Sequence, residues 1–344
     1  MRTVYAWIHR VWYEGAPAYR ILLPLSGMYW LLIAARRCLY ELGILGSHQT
    51  IAPVIVVGNI TTGGTGKTPV TIWLAHELQK RGFAPGIVSR GYGGSKSPSS
   101  MRVDAASDPT AVGDEPVLLA MRTGCPVVVD ANRVRAAEML VEDGADLIIA
   151  DDGLQHYRLA RIYEICVIDG SRGLGNRLLL PAGPLRETLS RLGEVDQVLI
   201  NGHLRESGDS LSVVEQNAIE FELVASEVSR LNGSLIRPID RFAGTTVHAV
   251  AAIGNPARFF DLLRAHEIQV IEHALPDHAK ISRQDLEFGD EFEILMTEKD
   301  AVKLGPARSD KLWKVPVELK IDPLLAHPWL AQIESRLRDA KDGQ

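Results

Sequence analysis

Lys67 and Thr68 stand near the end of the stretch GNITTGGTGKTPV, which continues the apolar run VIVVG and leads into a segment with helical periodicity. With no Cβ atoms in the way, Gly63, Gly64 and Gly66 can turn backbone N–H groups toward an anion, and a helix beginning near Lys67 adds its positive end. In that setting Lys67 reaches the β- and γ-phosphates of a nucleotide and the Thr68 hydroxyl holds Mg²⁺. The fit to G-x-x-x-x-G-K-[ST] is incomplete, because Thr61 occupies the first glycine position. The surroundings still fit: Val70, Leu74 and Leu78 recur every four residues and Gly82 supplies a stop. Thr61, Thr62, Gly63, Gly64, Thr65, Gly66, Lys67 and Thr68 therefore form the expected nucleotide cradle, a plain strand-to-helix glycine turn being the alternative.

Two carboxylates, Asp151 and Asp152, follow the apolar run DLIIA, where a P-loop protein carries an acid able to hold Mg²⁺ directly or through water, opposite Thr68. Acids after a strand also cap helices. Asp114 opens the helical pattern of GDEPVLLA and is either an N-cap or a base that takes a proton from a substrate hydroxyl. His278, in LPDHAKIS, is a loop histidine that by itself says little.

Such groups need a scaffold that delivers loops to one edge. From residue 51 to about 200, strand-like runs (VIVVG, GIVSR, PVVVD, DLIIAD, EICVID, QVLIN) alternate with helical patterns. That alternation predicts an α/β fold with a mostly parallel sheet, flanking helices and sites at the carboxyl ends of the strands. Residues 221–240 read as two extended segments around an Asn232-Gly233 turn, a two-stranded linker. A second βα pattern over 241–344 (TTVHAVAAIGNPARFFDLLRAHEI, EILMTEKDAVKL, VPVELKI) predicts a smaller α/β domain, with a last helix that could pack back on the core. The expected division is thus 1–50, a membrane-associated helical segment; 51–220, a P-loop core; 221–240, the linker; and 241–344.

The 344 residues are 46% hydrophobic and 23% charged with a formal charge of -6, which suits a folded chain and argues against a nucleic-acid partner. Arg2, Arg10, Arg20, Arg36 and Arg37 face only Glu14 in the first 40 residues, so the remainder is about ten charges negative. Between Arg20 and Arg36 lie fifteen uncharged residues interrupted by Pro24 and Gly27, short of the roughly 20 that cross a bilayer. With Trp7, Trp12, Tyr13, Tyr19, Tyr29 and Trp30 nearby, the expectation is a helix lying on a membrane surface, or one packed on its own domain. Cys38, Cys125 and Cys166 have no C-x-x-C spacing and suit buried, reduced thiols in a cytosolic setting.

The motifs GNITTGGTGKTPV, SRGYGG (89–94), GDEP (113–116), DDGLQH (151–156), LPAGPLRE (180–187), DH (277–278) and MTEKDAVK (296–303) together resemble the tetraacyldisaccharide 4'-kinase family, the lipid A 4'-kinases, in family order over nearly the whole chain. The resemblance implies transfer of the ATP γ-phosphoryl group to the 4'-hydroxyl of a tetraacylated disaccharide 1-phosphate, giving lipid IVA. It implies Asp114 as catalytic base oriented by His278, and Asp151, Asp152 and Glu187 at the metal and nucleotide site. Arg90, Tyr92, Arg133, Gln155 and Arg186 would line the cleft. The implied cofactors are ATP and Mg²⁺, and the implied partners are the lipid A precursor and the cytoplasmic face of the bacterial inner membrane, held peripherally. No obligate protein partner is expected. Ile162 departs from the family, where an Asp is expected after RLAR, as does Thr61 from the Walker pattern. The rival reading is a membrane-associated P-loop ATPase or GTPase switch. Against it, Thr62 stands where the members with a signature lysine before the paired glycines carry it, and a switch has no need of Asp114 with His278.

Overall fold

The computed structural model describes residues 2–91, 94, 99–204, 218–277, 279–305 and 309–342. Two helices, α1 (Arg2–Tyr13) and α2 (Tyr19–Glu41), precede β1 (Val54–Gly58), which leads through the glycine loop into α3 (Lys67–Lys80). There follow β2 (Pro85–Ser89), β3 (Met101–Val103), α4 (Pro109–Val112), α5 (Asp114–Thr123), β4 (Val127–Val129), α6 (Arg133–Glu142) and β5 (Leu147–Asp151). Then come β6 (Tyr163–Asp169), β7 (Gln197–Asn201) and β8 (Ala218–Val224). A second group comprises β9 (Glu227–Arg230), β10 (Ile236–Pro238), β11 (Thr246–Ala251), α7 (Pro256–Ala265), β12 (Gln269–Ala274), β13 (Glu293–Thr297), α8 (Glu298–Leu304) and β14 (Leu312–Val315). The last two elements are β15 (Glu318–Ile321) and α9 (Pro323–Asp342).

The larger sheet runs β15-β8-β7-β6-β1-β5-β2-β4-β3, parallel from β8 to β4 with an antiparallel strand at each edge. Its central strands β1, β5 and β6 are buried along their whole length, as mainly apolar runs are when helices cover both faces of a sheet. On one face Val70, Leu74 and Leu78 of α3 join Leu119 of α5 and Trp329, Leu330, Ile333 and Leu337 of α9. On the other, Ala136, Ala137 and Leu140 of α6 pack on Val56 and Ile148. The six-stranded sheet runs β10-β9-β14-β13-β11-β12 and has its own core around Phe260, Leu263 and Trp313.

The chain passes between the two sheets twice, and this redistributes three segments. Residues 221–240 form no free linker: Phe221–Val224 extend β8 in the large sheet, while the Asn232-Gly233 turn joins β9 and β10, which belong to the small one. VPVELKI is likewise divided, with β14 in the small sheet and β15 antiparallel to β8 in the large one. Pro316, which has no N–H to give a ladder, lies at that break. α9 then returns to the large sheet, where Trp329 stacks on Trp73 with ring centroids 5.5 Å apart.

At the N-terminus, α2 continues through Pro24 as one helix of 23 residues, long and apolar enough by length and composition to cross a membrane. One of its faces is nonetheless bonded to the domain. Ser26 Oγ donates to the Leu179 carbonyl at 2.9 Å, Tyr29 Oη to the Arg186 carbonyl at 2.9 Å, and Arg37 meets Glu194 at 2.7 Å. An adjacent face exposes Ile21, Leu25, Met28 and Leu32, one helical stripe. Cys38 is exposed on this helix, unlike the buried Cys125 and Cys166, because α2 has a core on one side only.

Candidate active site

The carboxyl ends of β1 and β5 are in register, Val57 beside Asp151, so the glycine loop and the acid pair meet where the strand order reverses about β1. Gly66 takes a φ of +99°, a conformation that favours glycine, and a Cβ there would lie 2.7 Å from Asn201 Nδ2. Asn201, at the end of β7, donates that Nδ2 to the Thr65 carbonyl at 3.2 Å and braces the loop from behind. Thr62 N donates to the Pro184 carbonyl at 2.9 Å and Arg186 N to the Ile60 carbonyl at 2.7 Å. The segment around LPAGPLRE is thereby laid along the cradle, and α2 lies on its far side.

Lys67, the first residue of α3, places Nζ 3.5 Å from Asp152 Oδ1, and Arg186 Nη1 is 3.1 Å from the same oxygen. Burial alone would raise the Asp152 pKa, but Lys67, Arg186 and Arg133 hold it well below the usual carboxylate range. Asp151 behaves in the opposite way: it is 1% exposed, and burial first, then the charge of Glu115, pushes it up to about 7 against the pull of Lys67. The Thr71 hydroxyl donates to one of its oxygens at 3.0 Å. Two adjacent acids are thus driven apart in character, since only Asp152 turns toward the cations.

A cleft of about 1500 Å³ opens over these groups, between the two sheets and against α2. Thr62 to Thr68, Arg90, Asp152, Gln155, Arg186 and Glu187 line it, so the predicted residues from four separate motifs share one cavity. Arg133 is buried beneath it, and its Nη2 donates to the carbonyls of Asp151 and Asp152 at 3.0 and 2.7 Å, so it supports the acid pair from below. Thr61 is buried at the back of the loop, bridged to Leu185. Glu187 accepts from Gln155 Nε2 at 2.8 Å and from Tyr157 Oη at 2.6 Å, with Arg191 Nε 3.4 Å away, so both its oxygens are held by neighbouring side chains. Tyr92 and His278 lie outside the described residues.

Asp114 sits at the first turn of α5, 6% exposed, with Lys303 Nζ of α8 3.5 Å from its carboxylate. Its neighbours Glu115 and Lys299 form the cleft surface above it, paired at 2.9 Å, and Asp277 is 3.7 Å from the same Lys299 Nζ. Burial would lower the Lys299 pKa; Glu115, Asp114 and Asp277 raise it. Arg122 and Glu298 make a further pair across the same contact. TEKD carries these contacts from a braced position: Thr297 caps α8 by accepting from Asp300 N, and Asp300 accepts from Ala252 N at 2.9 Å.

Several residues at the site gave no signal in the sequence. Gly254, after β11, comes against the glycine loop so closely that a Cβ on it would lie 2.2 Å from Gly64 N. Arg172 donates to its carbonyl at 2.6 Å, and Asn255 Nδ2 donates to Asp169 at 2.8 Å. Asn201 alone could have been suspected, as a polar residue ending the apolar run QVLI.

The family described as tetraacyldisaccharide-1-P 4'-kinase matches residues 18–335. A tetraacyldisaccharide 4'-kinase of Nitrosococcus oceani is 43% identical over 97% of this chain and 95% of its own. One from Aromatoleum aromaticum is 48% identical over 90% of this chain and 92% of its own. Among solved structures, LpxK from Aquifex aeolicus, crystallised in complex with ATP, superposes with a TM-score of 0.76 at 27% identity, covering 93% of this chain and 99% of that one. With the cradle, the acid pair and the cleft in place, and with likeness of this extent, the chain belongs to the tetraacyldisaccharide 4'-kinase family.

Proposed function

We propose that the chain is an ATP-dependent kinase that phosphorylates the 4'-hydroxyl of tetraacyldisaccharide 1-phosphate, forming lipid IVA in lipid A biosynthesis. The observation that carries this is the meeting of Lys67, Arg186 and Asp152 at the mouth of the glycine loop, in a cleft that has an apolar, outward-facing helix as one wall. Family membership and the ATP-bound Aquifex aeolicus relative support it.

Phosphoryl transfer passes through a loose transition state, so charge neutralisation and alignment dominate over proton removal. The backbone of residues 63–66 and the start of α3 receive the phosphates; Lys67 and Arg186, now turned to Asp152, are the cations that take up charge on the γ-phosphoryl oxygens. The donor set fits Mg²⁺, which is held by one or two carboxylates together with phosphates and water. Asp151 is a buried carboxylate that accepts from the Thr71 hydroxyl, and among the described residues no group of three or more His, Cys, Asp or Glu forms a closed cage. Thr68, Asp151 and Asp152 would hold the ion, with Glu187 in the surrounding shell. When bound, it would neutralise charge on the β- and γ-phosphates.

Asp114 acts as the base for the 4'-hydroxyl, a contribution of about 10² to 10⁴ in rate. It stands at the start of α5 with Lys303 Nζ 3.5 Å away. It is reached from the cleft past Glu115 and Lys299, so the acceptor must displace part of the contact between α5 and α8. The family resemblance assigns His278, which follows the cleft residue Asp277 in the sequence, to orient Asp114.

The acceptor carries four acyl chains, each buried methylene being worth about 0.8 kcal/mol, and does not leave the bilayer cheaply. The exposed stripe of α2 supports a position on the cytoplasmic face of the inner membrane, with the helix lying along the surface because its other face is bonded to the domain. Incubation with γ-labelled ATP and the disaccharide 1-phosphate in detergent tests the reading. Label in the lipid is expected, and label appearing only as free phosphate would indicate a switch ATPase instead. Asp114→Asn should bind ATP normally yet turn over far more slowly, and near-normal turnover would remove Asp114 as base.

A further inference from the structure

The wall of the cleft formed by α2 carries a cation that phosphoryl transfer leaves unused. Arg36 lines the cleft, donates from Nη2 to the Gln155 carbonyl at 3.1 Å, and lies over the rings of Tyr40 and Tyr157, 5.9 and 5.7 Å from their centroids. These contacts fix the guanidinium without neutralising it. Arg90 excepted, the other arginines of the cleft wall each meet a carboxylate, as Arg37 meets Glu194 and Arg186 meets Asp152; among the described residues Arg36 meets none. Glu187, on the far side of Tyr157, is already engaged by Gln155, Tyr157 and Arg191. The positive field is felt nearby. His156 is pushed down to about 4, by burial first and then by the charges of Arg133, Arg161, Arg36 and Arg158.

Gln155 gives the direction. Its side chain donates to the Asn59 carbonyl at 3.0 Å beside the glycine loop, while its own carbonyl faces Arg36. Arg36 is therefore one residue outward from the phosphoryl-transfer centre, four residues after Leu32 on α2, where the cleft wall meets the apolar stripe. An acceptor that offers its 4'-hydroxyl to the nucleotide has its other charged end, the 1-phosphate, directed away from that centre. Guanidinium and phosphate match in geometry as a bidentate pair, and a preorganised arginine loses little freedom on making it.

We propose that Arg36 binds the 1-phosphate of the acceptor and so fixes which end of the disaccharide faces the nucleotide. The proposal rests on the kinase reading above. The same chemistry could serve a phosphate of the bilayer headgroups, and the test separates the two.

Wild type, Arg36→Met and Arg36→Lys are assayed in neutral detergent on the tetraacyldisaccharide with a 1-phosphate and on the same lipid with a free 1-hydroxyl. For Arg36→Met, kcat/KM should fall about 10- to 100-fold on the phosphorylated lipid, the range of one charge-assisted pair, and stay within about twofold on the hydroxyl form. Arg36→Lys should recover part of the loss, and ATP binding should be unchanged in both variants. Equal loss on the two lipids would mean that Arg36 only positions Gln155 and would overturn the proposal, as would no loss on either. Loss of binding by Arg36→Met to phosphatidylglycerol vesicles without acceptor, at full activity in detergent, would assign the residue to headgroups and overturn it too. Wild type that phosphorylates neither lipid would remove the kinase reading itself, a separate and distinguishable failure.

Discussion

Replacing Gly254 by alanine tests whether the second sheet must touch the glycine loop for catalysis. The added Cβ would stand 2.2 Å from Gly64 N and 2.9 Å from Gly64 Cα, against about 3.5 to 4.0 Å for an ordinary contact, so the two loops must part by about 1 Å. Both colliding groups are backbone, and no rotamer change relieves them. The φ of Gly254 lies outside the left-handed region, so alanine adds no conformational penalty and the effect is one of approach alone. Overpacking of this kind costs about 1 to 3 kcal/mol, which is about 5- to 150-fold against the closed arrangement. The hydrogen bonds from Arg172 to the Gly254 carbonyl and from Asn255 to Asp169 would be strained with it. Steady-state kinetics should show kcat/KM for ATP reduced by that factor, while the thermal midpoint moves by only a few degrees because neither core is touched. Wild-type kcat/KM in a correctly folded Gly254→Ala would refute the argument that this contact belongs to the productive state.

Asp151 has a folded pKa near 7 against 3.8 when unperturbed, so the folded chain holds an extra proton between those values. Stability of the nucleotide-free protein should therefore fall as pH rises through that window and level off above it, and Asp151→Asn should abolish the slope in urea unfolding from pH 5 to 8. Trp329→Ala removes a buried ring stacked on Trp73 and should lower stability by about 3 to 5 kcal/mol in denaturant titration. A change below 1 kcal/mol would show that α9 is dispensable to the core. Joint replacement of Ile21, Leu25 and Leu32 by serine leaves the bonded face of α2 intact and should release the protein from anionic vesicles in flotation assays. Persistent flotation would place the membrane contact elsewhere.

The six strands β1, β2, β4, β5, β6 and β7 of the large sheet were legible because each is built on a short apolar run, and burial on both faces leaves such a run no other use. The cradle was legible for a related reason, since Gly63, Gly64, Gly66, Lys67 and Thr68 fall within six consecutive residues and their chemistry is local. Asp114 and the acid pair could be singled out from type and position. Their partners could not. Lys303 reaches Asp114, Asn201 braces Thr65 and Gly254 meets Gly64 across separations that no periodicity encodes.

The sequence by itself determined the local conformations and the residue types able to handle phosphate, because glycine freedom, apolar runs and helix starts act within a few residues. It did not determine to which sheet β8, β15 or the Asn232-Gly233 hairpin belongs, since an amphipathic strand fits either edge until the chain has crossed between the sheets. Nor did it determine the state of Asp151 and Asp152. They are adjacent and chemically identical, and only the folded packing, which buries one carboxylate beside Thr71 and turns the other toward Lys67 and Arg186, makes them different acids.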